Sequence, residues 1–170
     1  MDTTFWFCQI YRRRRISAFI IDETINQIGN QHFWLWIAIE PIHSFVLGIY
    51  ISKERNMLVA EHFIRSLIEK YGKHHVYTDG GTWYPEACNV LGLKHYLHSP
   101  LEKSLIERVM QYFKDRTESF DDYYPCIQKD ECNLLHVHNW IQFFVTMYND
   151  TTFENYFINE LNERGEYILN

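Results

Sequence analysis

No apolar run in this 170-residue sequence approaches the roughly 20 consecutive hydrophobic positions that a membrane-spanning helix needs. A secretion signal is also missing from the pattern. Phe5-Trp6-Phe7 is too short an apolar stretch, and Arg12 to Arg15 follow it instead of preceding it. Cysteine is scarce: Cys8, Cys88, Cys126 and Cys132 do not make the disulfide framework of a secreted domain at this length. Neither an internal repeat nor a low-complexity linker is present. These absences lead to the expectation of a soluble, cytoplasmic protein with no membrane partner. A basic excess is lacking too, since the net charge is −6. That acidity is confined to residues 130–170, where seven acids face Arg164 alone, while residues 1–129 are balanced. Overall charge therefore says nothing against a nucleic-acid partner, because binding depends on where basic groups cluster.

What is present is a core. Hydrophobic residues make up 46% and aromatic residues 17%, which excludes disorder, and the length suits one domain. Residues 16–21 (ISAFII) read as a buried central strand ending at Asp22-Glu23-Thr24. Residues 32–40 and 44–52 read as two further strands of an antiparallel meander. The period then changes to helical over residues 56–71, with Gly72 as a stop. A short strand at 75–78 runs into Asp79-Gly80-Gly81. A helix over 84–91 has Pro85 in its first turn and Gly92 beyond its end, and a strand follows at 93–98. Pro100 opens a helix reaching about residue 117, and an amphipathic helix covers 134–148. The expected organisation is a basic arm (1–15), one α/β domain (16–150) and an acidic tail (151–170) that could hold one more short helix. The order β-β-β-α-β-α-β-α, with a mixed five-stranded sheet and helices on both faces, is that of the ribonuclease H-like fold.

Three carboxylates stand out in that order. Asp22 and Asp79 each close a predicted strand, and adjacent central strands would bring them to one sheet edge. Carboxylates held together raise one another's pKa unless a cation bridges them, and hard oxygen ligands suit Mg2+ or Mn2+. In the helix after Pro100, Leu101, Leu105, Ile106, Val109, Met110 and Phe113 form one broad face. At roughly 100° per residue, Glu107 falls just outside it, on a stripe with Lys103, Gln111 and Lys114. Glu102 falls in the first turn, where it complements the helix dipole. Each of these residues alone has a plainer reading, as a cap, a turn or a solvated side chain. The three positions together in this order of elements point to metal-dependent chemistry.

The segments IIDETINQIGNQHFWLWIAIEP (20–41), VYTDGGTWYPEACNVLGLKH (76–95), SLIERVMQYFKDRTESFDDYYPC (104–126) and HVHNWIQFF (136–144) resemble the DDE transposases of bacterial and archaeal insertion sequences. The likeness is closest to archaeal members of the insertion-sequence-six type. The resemblance implies a catalytic domain that cuts and joins DNA, with Asp22, Asp79 and Glu107 holding two Mg2+ or Mn2+ ions. The Lys or Arg that follows the glutamate on the family's helix falls on Lys114, with Arg116 close by as a further DNA-contact candidate, and Lys103 and Lys114, one and two turns from Glu107, stand in position to hold a DNA phosphate. Trp83 and Tyr84 match an aromatic pair after the second aspartate and are candidates to stack on a distorted base, or to pack in the core. His95 matches a histidine closing the next strand. Implied partners are transposon ends and target DNA, a homodimer or larger synaptic assembly, and association with the nucleoid. Such transposases carry an N-terminal helix-turn-helix, and fifteen residues before the first strand are too few for one. A truncated copy that dimerises with and inhibits a full-length transposase is therefore the alternative, and a ribonuclease H-like nuclease outside transposition is a third reading.

Other patterns carry less. Cys126, Cys132, His136 and His138 form C-x5-C-x3-H-x-H, which is not a standard zinc spacing. Arg12 to Arg15 suit either phosphate contact or a solvated arm. Trp34, Trp36 and Trp140 suit a core or an interface. Twelve tyrosines raise tyrosine-based recombination, but none sits beside the Arg/His cluster that mechanism needs.

Overall fold

Alternation along the first strand decides the layering. In β1 (Ala18–Ile28) Phe19 and Ile21 leave one side of the sheet and Ile20 the other, and all three are buried. A strand buried on both faces must be central. The structure is a computed structural model describing residues 16–28, 31–123 and 134–163. The remaining strands are β2 (Gln31–Ile39), β3 (Val46–Ser52), β4 (His75–Thr78) and β5 (His95–Leu97), in the order β3-β2-β1-β4-β5. β1, β2 and β3 pair antiparallel, and β4 and β5 add in parallel on the other side of β1.

Among the described residues four helices cover the two faces: α1 (Met57–Tyr71), α2 (Trp83–Leu91), α3 (Pro100–Tyr123) and α4 (Leu134–Glu163). Phe19, Ile21, Trp36, Ala38 and Val76 pack against Ala60, Phe63, Ile64 and Leu67 of α1 and Tyr84, Ala87, Cys88 and Leu91 of α2. Ile20, Leu35, Ile37 and Ile39 pack instead against Ile106, Val109, Met110 and Phe113 of α3 and Val137, Ile141 and Val145 of α4. Helix ends follow local chemistry. The Asn56 side chain accepts from the Val59 N–H at 3.0 Å, and Gly72 and Gly92 end α1 and α2 with positive φ. At the start of α3, Ser99 N–H donates to Glu102 and Glu102 N–H to Ser99 Oγ, a reciprocal capping box.

Three expectations are corrected. β1 does not stop at residue 21; it runs to Ile28, because backbone pairing with β2 continues from Asp22↔Ile37 to Ile28↔Gln31 irrespective of side-chain polarity. α3 reaches Tyr123 rather than residue 117. The last helix continues to Glu163, so the boundary expected at residue 150 falls inside α4. The arm 1–15, the Gly29-Asn30 turn, Cys126 and Cys132 lie outside the described residues.

Just past the predicted end of that last helix, Asn149 is buried and grips the edge strand. Its Oδ1 accepts from Val46 N–H at 2.9 Å and its Nδ2 donates to Val46 O at 2.9 Å. Asn149→Ala would leave both backbone groups of Val46 without these partners. The expected loss is about 2–3 kcal/mol, read as a lower urea midpoint with an unchanged slope; an unchanged midpoint would mean this part of α4 is not docked.

Candidate active site

Strand register brings the two aspartates together. β1 and β4 pair in parallel as Ala18↔His75, Phe19↔Val76 and Ile20↔Tyr77, so continuing the register sets Asp22 beside Asp79 just beyond the end of β4. Asp22 thus sits in mid-strand, at the point where β1 loses its parallel neighbour. Its Oδ1 accepts from the Glu23 N–H at 2.9 Å. Burial first, then the negative charges of Glu23, Asp79 and Glu107, push its carboxyl up to about 7, with the Glu23 N–H opposing them.

Asp79 is exposed on a turn of restricted geometry. Its Oδ1 accepts from Gly81 N–H at 2.9 Å, and the Gly80 N–H donates to Thr78 Oγ1 at 3.2 Å. Gly80 has φ +90°, and a Cβ there would meet Leu97 at 2.8 Å. A Cβ on Gly81 would meet the Trp83 ring at 2.5 Å. Gly80 is therefore required by its backbone conformation, and any side chain at Gly81 would displace the Trp83 ring.

A third carboxylate joins this pair, and it is one that sequence reasoning passed over. Oxygens of Asp22, Glu23 and Asp79 lie within 4.8 Å of one another. Glu23 is turned inward: Tyr84 Oη donates to its Oε2, and Arg55 Nη1 lies 3.6 Å from its Oε1. Burial raises the Glu23 carboxyl, and Tyr84 and Arg55 counter that rise. Glu107 lies further out, on the face of β1 that Asp22 shares. It is mostly exposed, 3.9 Å from Lys103 Nζ, yet close enough for its charge to act on Asp22.

His98 is a second neighbour without a sequence signal. Its Nε2 donates to Tyr77 O at 3.0 Å and its N–H to Thr78 O at 2.8 Å, beneath the Asp79 turn. Burial lowers its pKa, partly offset by Tyr77 O, Asp79 and Glu102. His95 Nε2 meets Thr78 Oγ1 at 2.8 Å, and burial, with His98 nearby, lowers its pKa as well.

Of its two readings Tyr84 takes the core one, and Arg116 is engaged within the protein. Tyr84 is fully buried in the α1/α2 core and its hydroxyl is engaged with Glu23, so its ring offers no face to a base. Arg116 lies nine residues after Glu107, half a turn round the helix. It donates to Tyr112 O at 3.0 Å and stacks on Tyr112 and, at 5.5 Å, on Phe144 of α4. Trp83 is half-buried, packed on Gly81 with Arg55 4.4 Å over its ring. Lys103 is exposed and Lys114 half-buried, both on the stripe of Glu107. His136 and His138 lie in the first turns of α4, and their proposed cysteine partners fall outside the described residues.

The donor set fits a hard divalent cation. Carboxylate oxygens of Asp22 and Asp79 converge beside Glu23, and the burial and neighbouring negative charge that disfavour ionised Asp22 would be offset by a cation between the strands.

Comparison with known proteins bears on the family and the fold. A DDE-domain family profile, DDE_Tnp_IS240, matches residues 16–121. A protein of Methanocaldococcus jannaschii described as uncharacterized is 31% identical over 138 residues, 81% of this chain. Only 63% of that relative's length is spanned. The catalytic core domain of BIV integrase superposes with a TM-score of 0.58 at 18% identity, covering 88% of this chain and 99% of that one. The HTLV-2 integrase catalytic core domain in complex with magnesium gives 0.55 at 18% identity, covering 76% and 82%. These likenesses establish the fold: a mixed five-stranded sheet between helices, of ribonuclease H-like type.

Proposed function

Since the chain belongs to the DDE-domain transposase family, whose general chemistry is polynucleotidyl transfer, we propose that it cleaves DNA phosphodiesters and joins the resulting 3′ ends to a target, using divalent metal held by Asp22, Asp79 and Glu107. The observation that carries this reading is the register-matched pair Asp22 and Asp79, with Glu107 on the same face of β1. Bound Mg2+ or Mn2+ would supply Lewis-acid stabilisation of charge developing at the phosphorus and would promote attack by water or a DNA hydroxyl.

The chain's own contribution is positioning and charge. β1 anchors Asp22 because it pairs with β4 up to Ile20 and with β2 through and beyond Asp22. The Gly81 N–H orients the Asp79 carboxylate. Glu107 approaches from α3, with Lys103 and Lys114 on the same stripe to hold a DNA phosphate. Among the described residues no group is arranged as a covalent nucleophile, and no protein–DNA linkage is expected.

DNA is the proposed substrate in two forms, element ends and target. A homodimer or larger synaptic assembly would hold two ends together; HTLV-2 integrase cores have been described in dimeric and trimeric forms. No described helix is long and apolar enough to cross a membrane, and we place the protein in the cytoplasm, at the nucleoid when bound to DNA.

Incubation of supercoiled plasmid and a 3′-hydroxyl oligonucleotide with the full chain and Mn2+ tests the reading. Joined products sensitive to EDTA are expected. Cutting without joining would reassign the chain to a nuclease, and absence of both would favour a non-catalytic partner that dimerises with and inhibits a transposase.

A further inference from the structure

Asp22 and Glu23 are neighbours in one strand, so their side chains leave opposite faces of the sheet. Across the ladder Asp22 faces Ile37, which packs under α3 and α4, whereas Glu23 faces Trp36, which packs under α1 and α2. Glu23 is therefore turned away from the side where Glu107 approaches. Its side chain is only 2% exposed, and both of its oxygens already have partners in the protein.

Those partners link Glu23 to the Asp79 turn. Arg55 Nη1 lies 3.6 Å from Glu23, and its guanidinium is layered between the indoles of Trp34 at 4.0 Å and Trp83 at 4.4 Å. Trp83 covers Gly81, whose N–H holds Asp79 Oδ1. Tyr84 donates through its hydroxyl to Glu23 and through its backbone N–H to Gly81 O at 3.1 Å. The Trp83 indole N–H is buried without a completed hydrogen bond, yet lies near enough to Glu23 to favour its charged form. Two routes, one aromatic and one through hydrogen bonds, thus run from Glu23 to the turn that carries Asp79.

We propose that Glu23 is a positioning residue and not a metal ligand: with Arg55, Trp34, Trp83 and Tyr84 it forms a clamp that fixes the Asp79 turn against β1. The proposal rests on the reading of Asp22 and Asp79 as the metal-holding pair. It accounts for a third carboxylate so close to them. A metal on Glu23 would have to displace the Arg55 contact or the Tyr84 hydroxyl, whereas a clamp uses both as they stand.

The experiment compares the full chain with Glu23→Gln, Tyr84→Phe, the double variant and Asp79→Asn. Bound Mn2+ is counted by electron paramagnetic resonance, and amide hydrogen exchange is followed at residues 79–82. Glu23→Gln is expected to keep the wild-type number of bound ions with affinity weakened roughly 10- to 100-fold. Exchange at Gly81 should accelerate on the order of tenfold as its bond to Asp79 loosens. The near-isosteric Tyr84→Phe should shift both readouts the same way, and the double variant should be no worse than Glu23→Gln, because the two residues share one bond. Loss of a whole ion in Glu23→Gln, as in Asp79→Asn, would make Glu23 a ligand and overturn the proposal. Unchanged affinity and exchange, or effects that multiply in the double variant, would overturn it as well. If the wild type binds no Mn2+, the metal reading fails on its own, and the exchange data still decide whether the clamp exists.

Discussion

Asp22→Asn is expected to reduce Mn2+-supported DNA cleavage by about three orders of magnitude, the scale of losing several kcal/mol of metal-derived stabilisation, while making the metal-free protein more stable. The two effects share a cause. Asp22 is largely buried beside Glu23 and Asp79, with its carboxyl raised to about 7. At pH 8 it is ionised in an environment that disfavours the charge, and asparagine removes that charge while keeping an oxygen for the Glu23 N–H. The expected gain is roughly 1–3 kcal/mol at pH 8, and it should shrink towards pH 5, where Asp22 is protonated in the folded protein. Plasmid cleavage and urea denaturation of the same preparations check both halves. An active variant, or an inactive one that is also unstable at pH 8, would contradict the assignment.

The second large effect is a stabilisation by metal that depends on pH. A carboxyl whose folded pKa lies above its unfolded value holds its proton more tightly when folded. Its contribution is full at acid pH and is lost as pH rises from about 4 through about 7. For Asp22 alone that loss is on the order of 3–4 kcal/mol. Mn2+ binds the ionised form and should reverse the loss. At a hundredfold excess over its Kd it contributes about 2.7 kcal/mol, or roughly 5–10 °C in Tm for a domain of this size. Towards pH 5.5 the proton competes and the metal-induced rise should fade. His95 and His98, with lowered pKa values, act oppositely, costing stability as they take up protons on acidification. Subtracting Asp22→Asn melts at each pH isolates the Asp22 contribution. A metal-induced rise that is equal at pH 5.5 and pH 8, or that persists in Asp22→Asn, would place the ion elsewhere.

Much of this arrangement was legible because local chemistry specified it. Asn56 and Gly72 bracket α1, Gly92 ends α2, and Asp79-Gly80-Gly81 ends β4 where the apolar run stops. The course of β1 was less legible. Asp22-Glu23-Thr24 looks like a strand terminus, but an antiparallel ladder is held by backbone groups, and β2 continues it to Ile28. Glu23 was hidden for a different reason. It adjoins the more conspicuous Asp22, and its partners Arg55 and Tyr84 meet it only in the folded chain. Two placements were readable from helical phase. Tyr84, Ala87, Cys88 and Leu91 recur at the spacing of a buried stripe, which assigns Tyr84 to the core. Arg116 stands on the opposite side of α3 from Glu107, which turns it towards Tyr112 and α4.

Anomalous diffraction from crystals of the full chain soaked in Mn2+ would show which side chains hold the metal, because it locates the ion among the four carboxylates. A peak is expected between Asp22 and Asp79 with Glu107 drawn towards it, and Glu23 still held by Tyr84 and Arg55. A peak coordinated by Glu23 with Glu107 left in solvent, or none near Asp22, would contradict this placement.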